Sequence, residues 1–379
     1  MRKVPGRAVP TTPEPPRASA ASTLSGVPAE ASLSSVPGPV PPDAGAICRA
    51  FALGVPLGPP GVAARGEQGR IWRLETDRGS WAVKEPFFID PLTVRATTRA
   101  DLAFQEIALA AGVPMPRPIR STDGEAVVDV GTERQARLVR VYVWVDLAGR
   151  DAEPSPSEVA AILGRLHAVA PRDERPMDAW TTTPPPAAIW PARLAAAEAA
   201  GVSWAGALAG LIPILGETLA ATGPVRGAEA ITCHLDYNAD NVLVDLRGRP
   251  VVVDWESSGP APAEQELASV VAQFVRDPAG TRSFIDAYEG ARGTARLVDR
   301  SSFALTAVVE ANLVETYSRW ALDPTKSDED RGRAAYWIED IASNAFTVDR
   351  FDAWLAAAGA RTGASDAAAS SPSGPPAAS

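Results

Sequence analysis

Residues 233–256 read Cys-His-Leu-Asp-Tyr-Asn-Ala-Asp-Asn-Val-Leu-Val-Asp-Leu-Arg-Gly-Arg-Pro-Val-Val-Val-Asp-Trp-Glu. Two apolar, β-branched runs, 242–245 and 251–254, are separated by Arg-Gly and Pro, which predicts a short β-hairpin. The polar residues before the first run and at the end of the second would then lie at one end of the hairpin. Asn241 and Asp254 are therefore predicted to lie close enough to share a metal ion.

The polar residues of this stretch have a spacing that is typical of phosphoryl-transfer enzymes. A hydroxyl acceptor needs one carboxylate within hydrogen-bond reach, and Asp236 is the candidate catalytic base. Mg²⁺ prefers oxygen ligands, which Asn241 and Asp254 supply. His234 is predicted to orient the loop by hydrogen bonding rather than to touch substrate. The alternative is a polar turn that leads into a hairpin and carries no chemistry.

A second predicted hairpin lies upstream, at residues 71–85. Two alternating runs are joined there at Asp77-Arg78-Gly79, a combination that favours a hairpin. Its second strand reads Trp-Ala-Val-Lys and is close to the kinase strand whose lysine contacts ATP phosphates. Strand alternation places Ala82 and Lys84 on one face, and the small Ala82 leaves room for an adenine ring.

A helix is predicted over residues 99–112, ending at a glycine. Glu106 is expected on a half-buried stripe of this helix, where an isolated charge would be costly. Lys84 is the partner that we expect for it. The chain has only three lysines, with arginine at every other basic position, which supports a specific role for Lys84. A lysine retained by chance on a strand is the alternative.

In this order, the motifs resemble the aminoglycoside phosphotransferase family and its choline kinase-like small-molecule relatives. The resemblance covers about residues 50–357 and is strongest within 233–256. Leu166-His167-Ala168 also resembles a family signature, in which we interpret His167 as a packed structural residue. The resemblance implies an α+β, bilobal protein-kinase-like fold. Its small N-lobe would hold an antiparallel sheet plus one helix, and its larger C-lobe would be mainly helical.

Site roles follow from the resemblance residue by residue. It implies that Lys84 contacts the ATP phosphates and that Glu106 anchors this lysine. It implies Asp236 as the catalytic base, and Asn241 and Asp254 as the ligands of Mg²⁺. ATP and Mg²⁺ are thus the expected cofactors.

The adenine site is implied to lie at the hinge, within residues 136–149. Backbone groups near Val143 and Val145 would hydrogen-bond adenine. Tyr142 or Trp144 would pack on the base, and for each the alternative of simple burial in a strand stays open.

The chain also departs from protein kinases. Its nucleotide loop contains only two glycines, Gly66 and Gly69, whereas the nucleotide loop of protein kinases contains three. Leu235 stands where protein kinases carry arginine, Trp255-Glu256 replaces Phe-Gly, and no Ala-Pro-Glu segment follows. These departures argue against a protein substrate and against an activation loop.

Composition predicts four segments. Residues 1–44 are rich in Pro, Ala and Ser and are expected to form a disordered tail, as are residues 358–379. The N-lobe is expected at 45–145, with the nucleotide, and the C-lobe at 146–357, with the catalytic loop and the acceptor. One of Glu264 and Glu266 is expected to brace that loop.

The C-terminal third is the expected source of acceptor specificity. Apolar residues recur every three or four positions from Phe303 and again from Ile338 to Leu355, which predicts two packed amphipathic helices. Acidic residues on and between them would attract a cationic substrate. They are Glu310, Glu315, Asp323, Asp328, Glu329, Asp330, Glu339 and Asp340. The alternative is a solvated acidic face, because the whole chain is acidic.

Charge and cysteine content exclude several classes of protein. The net charge of −10 argues against nucleic acid as a partner. Cys48 and Cys233 suggest neither a disulfide framework nor a zinc site, and we interpret both as reduced thiols of a cytoplasmic protein. No run has the length of a membrane span or the apolar core of a signal peptide. A monomer without a membrane partner is expected.

The favoured function is an ATP- and Mg²⁺-dependent O-phosphotransferase that acts on a small molecule, such as an aminoglycoside or another antibiotic. A metabolite kinase of choline or homoserine type is the alternative within the same class. A catalytically silent, kinase-like nucleotide-binding protein is the alternative from another class. The intact set of lysine, base and metal ligands counts against the silent protein, which has no chemical reason to keep all four.

Overall fold

The computed structural model describes residues 39–66, 69–87, 91–132, 136–149, 152–227 and 229–359. For residues 91–97 it describes the helical backbone alone. The two predicted tails, 1–44 and 358–379, lie outside the described residues except for 39–44 and 358–359.

The N-terminal half of the described chain is built on a six-stranded antiparallel sheet. The strand order is β1-β2-β3-β6-β4, and β5 also pairs with β6. The elements are α1 (Ala44–Phe51), β1 (Gly61–Arg65), β2 (Gly69–Thr76), β3 (Gly79–Pro86), α2 (Pro91–Ala110), β4 (Pro118–Ile119), β5 (Val128–Asp129) and β6 (Leu138–Val143). The predicted sheet with one long helix is confirmed, and the short helix α1 precedes it.

The predicted upstream hairpin is formed by β2 and β3. Their register pairs Ile71 with Lys84 and Thr76 with Gly79. Gly79 has a φ of 140°, which a residue with a Cβ rarely adopts, so the tight turn needs glycine. Trp72 and Val83 point to the buried side of the sheet, and alternation therefore turns Lys84 to the opposite face.

The C-terminal half is mainly helical, with two small two-stranded sheets. Its first helices are α3 (Pro156–Val169), α4 (Ala179–Thr182), α5 (Trp190–Ala199) and α6 (Ala205–Thr222). The strands β7 (Ile231–Cys233), β8 (Val242–Val244), β9 (Pro250–Val252) and β10 (Gly259–Ala261) follow. The last helices are α7 (Ala263–Phe274), α8 (Thr281–Gly290), α9 (Ala304–Leu322), α10 (Asp328–Asn344) and α11 (Val348–Ala358). The α+β fold class is confirmed.

Residues 303–358 contain three α-helices where two were predicted. The first periodic set corresponds to α9, but the second, from Ile338 to Leu355, is divided between α10 and α11. The division occurs because Thr347 caps α11, accepting a hydrogen bond from the N–H of Arg350 (3.3 Å). Phe351 then stacks on Phe303 at 4.4 Å between ring centroids. The two helices therefore face different cores, since the buried residues of α10 pack with α6 and α9.

Helix α6 corrects the expectation that no run reaches the length of a membrane span. Its 18 residues, Ala205–Thr222, are long and apolar enough for a span by length and composition. In this fold, however, Leu208, Leu211 and Leu215 are buried in a core shared with α9 and α10. We therefore interpret α6 as a core helix.

Candidate active site

The stretch 233–256 forms the predicted hairpin, and a second pair of strands holds its polar end. β8 pairs with β9, with Val242 opposite Val252. β7, which leads into the loop, pairs with β10, which follows the hairpin. The N–H of Val253 donates to the carbonyl of Asn241 (2.8 Å), so the two polar ends meet as predicted.

His234 is fully buried inside the loop. Its Nε2 lies 3.1 Å from the carbonyl of Val253, and its Nδ1 lies 3.3 Å from the backbone N of Asp236. A neutral ring that donates from Nε2 and accepts at Nδ1 satisfies both contacts. Burial lowers the pKa of His234 to about 4, in keeping with a neutral ring. This geometry fits the expected orienting role.

Asp236 is fixed by its neighbours in the loop. Nδ2 of Asn238 donates to Oδ1 of Asp236 (2.7 Å), and Nδ2 of Asn241 donates to its backbone carbonyl (2.9 Å). Burial, and then the nearby carboxylate of Asp254, raise the pKa of Asp236 to about 8. The base candidate and one metal-ligand candidate therefore lie close enough to repel each other.

Asp254 meets the lysine of β3 at this point. Its φ is 60°, a strained conformation for a residue other than glycine and one that recurs at functional sites. Nζ of Lys84 lies 2.6 Å from Oδ1 of Asp254 and 2.7 Å from Oε2 of Glu256. Burial alone would lower the pKa of Lys84, but the two carboxylates raise it above its ordinary value, so the ammonium stays charged.

The predicted pair of Glu106 with Lys84 is wrong. Glu106 forms a two-bond ion pair with Arg120, with both donor–acceptor distances 2.8 Å. Its side chain is 46% exposed, and therefore it is not on a half-buried stripe. The buried face of the helix lies one residue earlier than predicted. Asp101 and Gln105 are buried, and the side chain of Glu106 is turned about 100° from that of Gln105 around the helix axis.

Glu256 and Arg140 are the charged neighbours of Lys84 that the sequence analysis missed. Nη1 of Arg140 lies 3.2 Å from Oε1 of Glu256. Glu256 could have been suspected, since it ends the Asp-Trp-Glu triplet. The signal for Arg140 was an arginine in the middle of an apolar strand, Leu138–Val143, where a charge needs a partner.

A buried carboxylate braces the backbone of the catalytic loop. Leu235 has a φ of 62°, and its N–H donates to Oε1 of Glu266 (2.7 Å). Oε2 of Glu266 lies 2.7 Å from Nε2 of His167, whose Nδ1 lies 2.8 Å from the Tyr288 hydroxyl. Of the two expected candidates, Glu266 is therefore the brace, whereas Glu264 accepts a hydrogen bond from Ser302.

Cys233 lies beside this brace. Its sulfur and ligand atoms of His167 and Glu266 lie within 4.8 Å of one another. Both ring nitrogens of His167 already have protein partners, so we interpret the group as a hydrogen-bonded cluster. Burial raises the pKa of the Cys233 thiol well above its ordinary value, which favours an inert thiol.

The hinge strand is in place, but not all of its groups are available to a nucleotide. The N–H of Val143 donates to the carbonyl of Arg117 (2.9 Å), so this N–H cannot also bind adenine. The expected adenine contact therefore shifts towards Val145, beyond the end of β6. Tyr142 points its hydroxyl towards Glu256 (3.5 Å), and Trp144 lies under the guanidinium of Arg73 (4.7 Å from Cζ to the ring centroid).

Gly66 and Gly69 lie at the facing ends of β1 and β2. The N–H of Gly66 donates to the carbonyl of Gly69 (2.9 Å). A Cβ at Gly69 would lie 2.8 Å from the carbonyl oxygen of Glu85, so close packing requires glycine there. The loop residues between the two glycines lie outside the described residues. Ala82, the small residue expected beside the adenine ring, lies on β3 opposite Tyr142 of β6.

The acidic residues of the C-terminal third do not form one surface. Asp328 is 95% exposed, as expected of a solvated face. Glu310 is buried instead, and burial raises its pKa to about 8, which favours the neutral form of this carboxyl at neutral pH. Asp340 lies on α10 near Tyr336, which in turn lies near Asp240 of the catalytic loop. A cationic substrate would thus meet only part of the predicted set.

The site can be compared with known proteins. A model of the phosphotransferase enzyme family (APH) matches residues 62–301, more than half of the chain. No curated protein matches the sequence.

Among solved structures, a spectinomycin phosphotransferase in complex with ADP and spectinomycin has a TM-score of 0.53 at 12% identity, covering 79% of this chain and 96% of that chain. An amicoumacin kinase in complex with AMP-PNP and Ca²⁺ has a TM-score of 0.50 at 14% identity, covering 78% and 91%. An aminoglycoside phosphotransferase from Alicyclobacillus acidocaldarius has a TM-score of 0.49 at 16% identity, covering 85% and 96%. The first two confirm the predicted bilobal, kinase-like fold.

Proposed function

Because the chain belongs to the phosphotransferase enzyme family (APH), we propose that it transfers the γ-phosphate of ATP to a hydroxyl of a small molecule in a Mg²⁺-dependent reaction. The observation that carries the proposal is the contact between the two halves of the chain. Lys84 of the sheet and Asp254 of the hairpin lie 2.6 Å apart, beside Asp236. A phosphate-binding cation, a metal ligand and a base therefore converge at one point.

The residues at this point fit a divalent cation. Asn241 and Asp254 offer an amide and a carboxylate oxygen, the hard ligands that Mg²⁺ prefers. Asp254 raises the pKa of Asp236, so added positive charge between them would relieve the repulsion. When bound, Mg²⁺ would neutralise negative charge on the phosphates.

The protein residues would act mainly by positioning and by electrostatics. Asp236 would accept the hydrogen bond of the acceptor hydroxyl and orient it towards the γ-phosphate. Lys84 would contribute its charge to the phosphate oxygens. Neutral His234 and buried Glu266 would hold the loop backbone, so that the carboxylate of Asp236 stays fixed during the reaction.

We divide the chain into an N-lobe (45–145) for the nucleotide and a C-lobe (146–357) for the acceptor. Candidate acceptors include aminoglycosides and other antibiotics, as in the names of the similar structures, and amino alcohols. We also propose that the protein is cytoplasmic, because Cys48 and Cys233 are both buried free thiols, and that it is a monomer. Size-exclusion chromatography with light scattering tests the monomer, and a dimer mass would contradict it.

The function is tested with a panel of acceptors. Purified protein should consume ATP with Mg²⁺ in the presence of one member of a set of aminoglycosides, macrolides, peptide antibiotics, amino alcohols and sugars. Asp236→Asn should lower turnover by about 10²- to 10⁴-fold, the usual contribution of a general base. ATP affinity, measured by calorimetry, should not fall with it.

The same measurements separate the alternative functions. Turnover with an amino alcohol and with no antibiotic would favour the metabolite kinase. ATP binding without turnover across the panel would favour the silent nucleotide-binding protein. A wild-type protein that neither binds ATP nor turns over any acceptor would contradict the proposal.

A further inference from the structure

Lys84 has a second cation directly beside it in the sheet. The register of β3 and β6 places Arg140 opposite Lys84, so both side chains leave the same face. Side chains in such a pair have Cβ atoms about 5 Å apart, and like charges there are destabilising. Arg140 is also buried, with 9% of its side chain exposed. The pair therefore needs negative charge between its members.

Glu256 supplies that negative charge by dividing its carboxylate between the two cations. Oε2 lies 2.7 Å from Nζ of Lys84, and Oε1 lies 3.2 Å from Nη1 of Arg140. The position of the Glu256 carboxylate therefore depends on both partners.

Helix α2 holds the other side of the Arg140 guanidinium. Nη2 lies 3.2 Å from Oδ2 of Asp101 and also donates to the hydroxyl of Thr98. Asp101 is 3% exposed, so its contact with Arg140 is not screened by water. A continuous chain of contacts therefore runs from buried Asp101 and Arg140 through the half-buried Glu256 to the half-buried Lys84.

We propose that Arg140 is a positioning residue for nucleotide binding: it fixes Glu256, which fixes the ammonium of Lys84, and it connects this cluster to helix α2 through Asp101. The proposal rests on the proposed function. Helix α2 thus reaches Lys84 through three side chains rather than through the direct contact with Glu106 that the sequence suggested.

The planar guanidinium is required for this role. Arg140 presents separate nitrogens to Glu256 and to Asp101, on two sides of one rigid group. A lysine would keep the charge but would offer a single nitrogen on a flexible stem. Without the arginine, Glu256 would keep Lys84 and the longer contact with the Tyr142 hydroxyl (3.5 Å), and the lysine would lose its fixed direction towards the phosphates.

Arg140→Lys tests the proposal in the full chain. The dissociation constant for ATP with Mg²⁺ and the KM for ATP should rise roughly 10- to 100-fold, the range for a lost hydrogen bond between charged groups. The KM for the acceptor should not change. Arg137→Lys is the matched control: Arg137 lies on the same strand region and pairs with Glu85 (2.6 Å), but it has no contact with the Lys84 cluster among the described residues. Its nucleotide affinity should match wild type.

A double-mutant cycle separates positioning from a general structural role. If Arg140 acts through Lys84, Arg140→Lys should weaken ATP binding little further in a Lys84→Met background. A full, additive loss there would overturn the proposal. Asp101→Asn is the milder variant to use if Arg140→Lys does not fold, and it should raise the ATP dissociation constant several-fold, in the same direction.

Three results would count against the inference. Equal ATP affinity for wild type, Arg140→Lys and Arg137→Lys would overturn it and leave the proposed function intact. Unchanged ATP affinity in Asp101→Asn would show that helix α2 does not act on Lys84 through Arg140, and it would overturn the inference as well. A wild-type protein that binds no nucleotide would overturn both the inference and the proposed function.

Discussion

The two halves of the candidate site are held in different ways. In the catalytic loop, hydrogen bonds join close neighbours in sequence, such as Asn238 to Asp236 and Asn241 to Asp236. At Lys84, the partners Asp254 and Glu256 lie 170 and 172 positions away along the chain. The Asp236 carboxylate is thus fixed by residues of its own loop, whose backbone is braced by Glu266 31 positions away, whereas the lysine is organised by the packing of one half of the chain against the other.

This difference predicts different responses to mutation. Changes in the loop should affect catalysis and local stability, and leave nucleotide affinity largely intact. Changes around Lys84 should affect nucleotide affinity and the contact between the two halves. Four substitutions test the contrast, in order of decreasing effect.

Lys84→Met should have the largest effect. It removes the cation next to two carboxylates and the proposed phosphate contact, so kcat/KM should fall by about 10²- to 10³-fold or more, as for one lost electrostatic group. The ATP dissociation constant should rise as well, in contrast to Asp236→Asn. Steady-state kinetics and calorimetry measure the two quantities, and unchanged ATP affinity would contradict the assignment of Lys84.

Glu266→Ala should destabilise the catalytic loop, because it removes the carboxylate that braces the loop backbone. It leaves the N–H of Leu235 and the ring of His167 without their buried partner, which should cost about 3 to 5 kcal/mol of the free energy of unfolding. Urea unfolding measures the loss. Glu264→Ala, two residues earlier on α7, loses a hydrogen bond from Ser302 and should cost clearly less. Equal costs for the two variants would argue against Glu266 as the brace.

Glu310→Gln should stabilise the protein in a pH-dependent manner. Burial raises the folded-state pKa of Glu310 from 4.5 to about 8, so between these values only the unfolded state releases the proton. Wild-type stability therefore falls as the pH rises through this window. The variant should gain little at pH 4 and roughly 4 to 5 kcal/mol at pH 8.5, since the folded-state pKa is raised from 4.5 to about 8 and each pKa unit corresponds to about 1.36 kcal/mol.

Urea unfolding across that pH range tests the Glu310 prediction. Glu315→Gln is the control, because Glu315 lies on the same helix but is paired with Arg193 (3.0 Å). It should show no such gain at high pH. A gain for Glu310→Gln that is equal at pH 4 and pH 8.5 would show that burial of the charge is not the cause.

Glu106→Ala should have the smallest effect. The variant breaks only an exposed ion pair with Arg120, which should cost less than about 1 kcal/mol of the free energy of unfolding. ATP affinity should be that of wild type, in contrast to Arg140→Lys. A fall in ATP affinity as large as that of Arg140→Lys would restore Glu106 as the anchor of Lys84.

Sequence patterns predicted the local elements well. The hairpin at 242–252, the hairpin that carries Lys84 and the interpretation of His167 as a packed residue all agree with the structure. Each depends on turn residues, on alternation or on the environment typical of one residue type, which act over a few positions. The tertiary partners were predicted less well, because helix periodicity locates a buried face only to within a residue or so. The buried face of α2 was predicted at Glu106 instead of Gln105, and this error of one residue was enough to assign the wrong partner to Lys84.

The sequence by itself determined the family, the two hairpins and the identity of the residues that converge near Asp236, because these follow from motif spacing and local backbone preference. Only the tertiary structure decided which carboxylates face Lys84, that Arg140 lies beside it, and that Glu310 is buried. These outcomes depend on charges brought together from distant parts of the chain. Their energies are set by burial and by distances of a few ångströms, which no local pattern encodes.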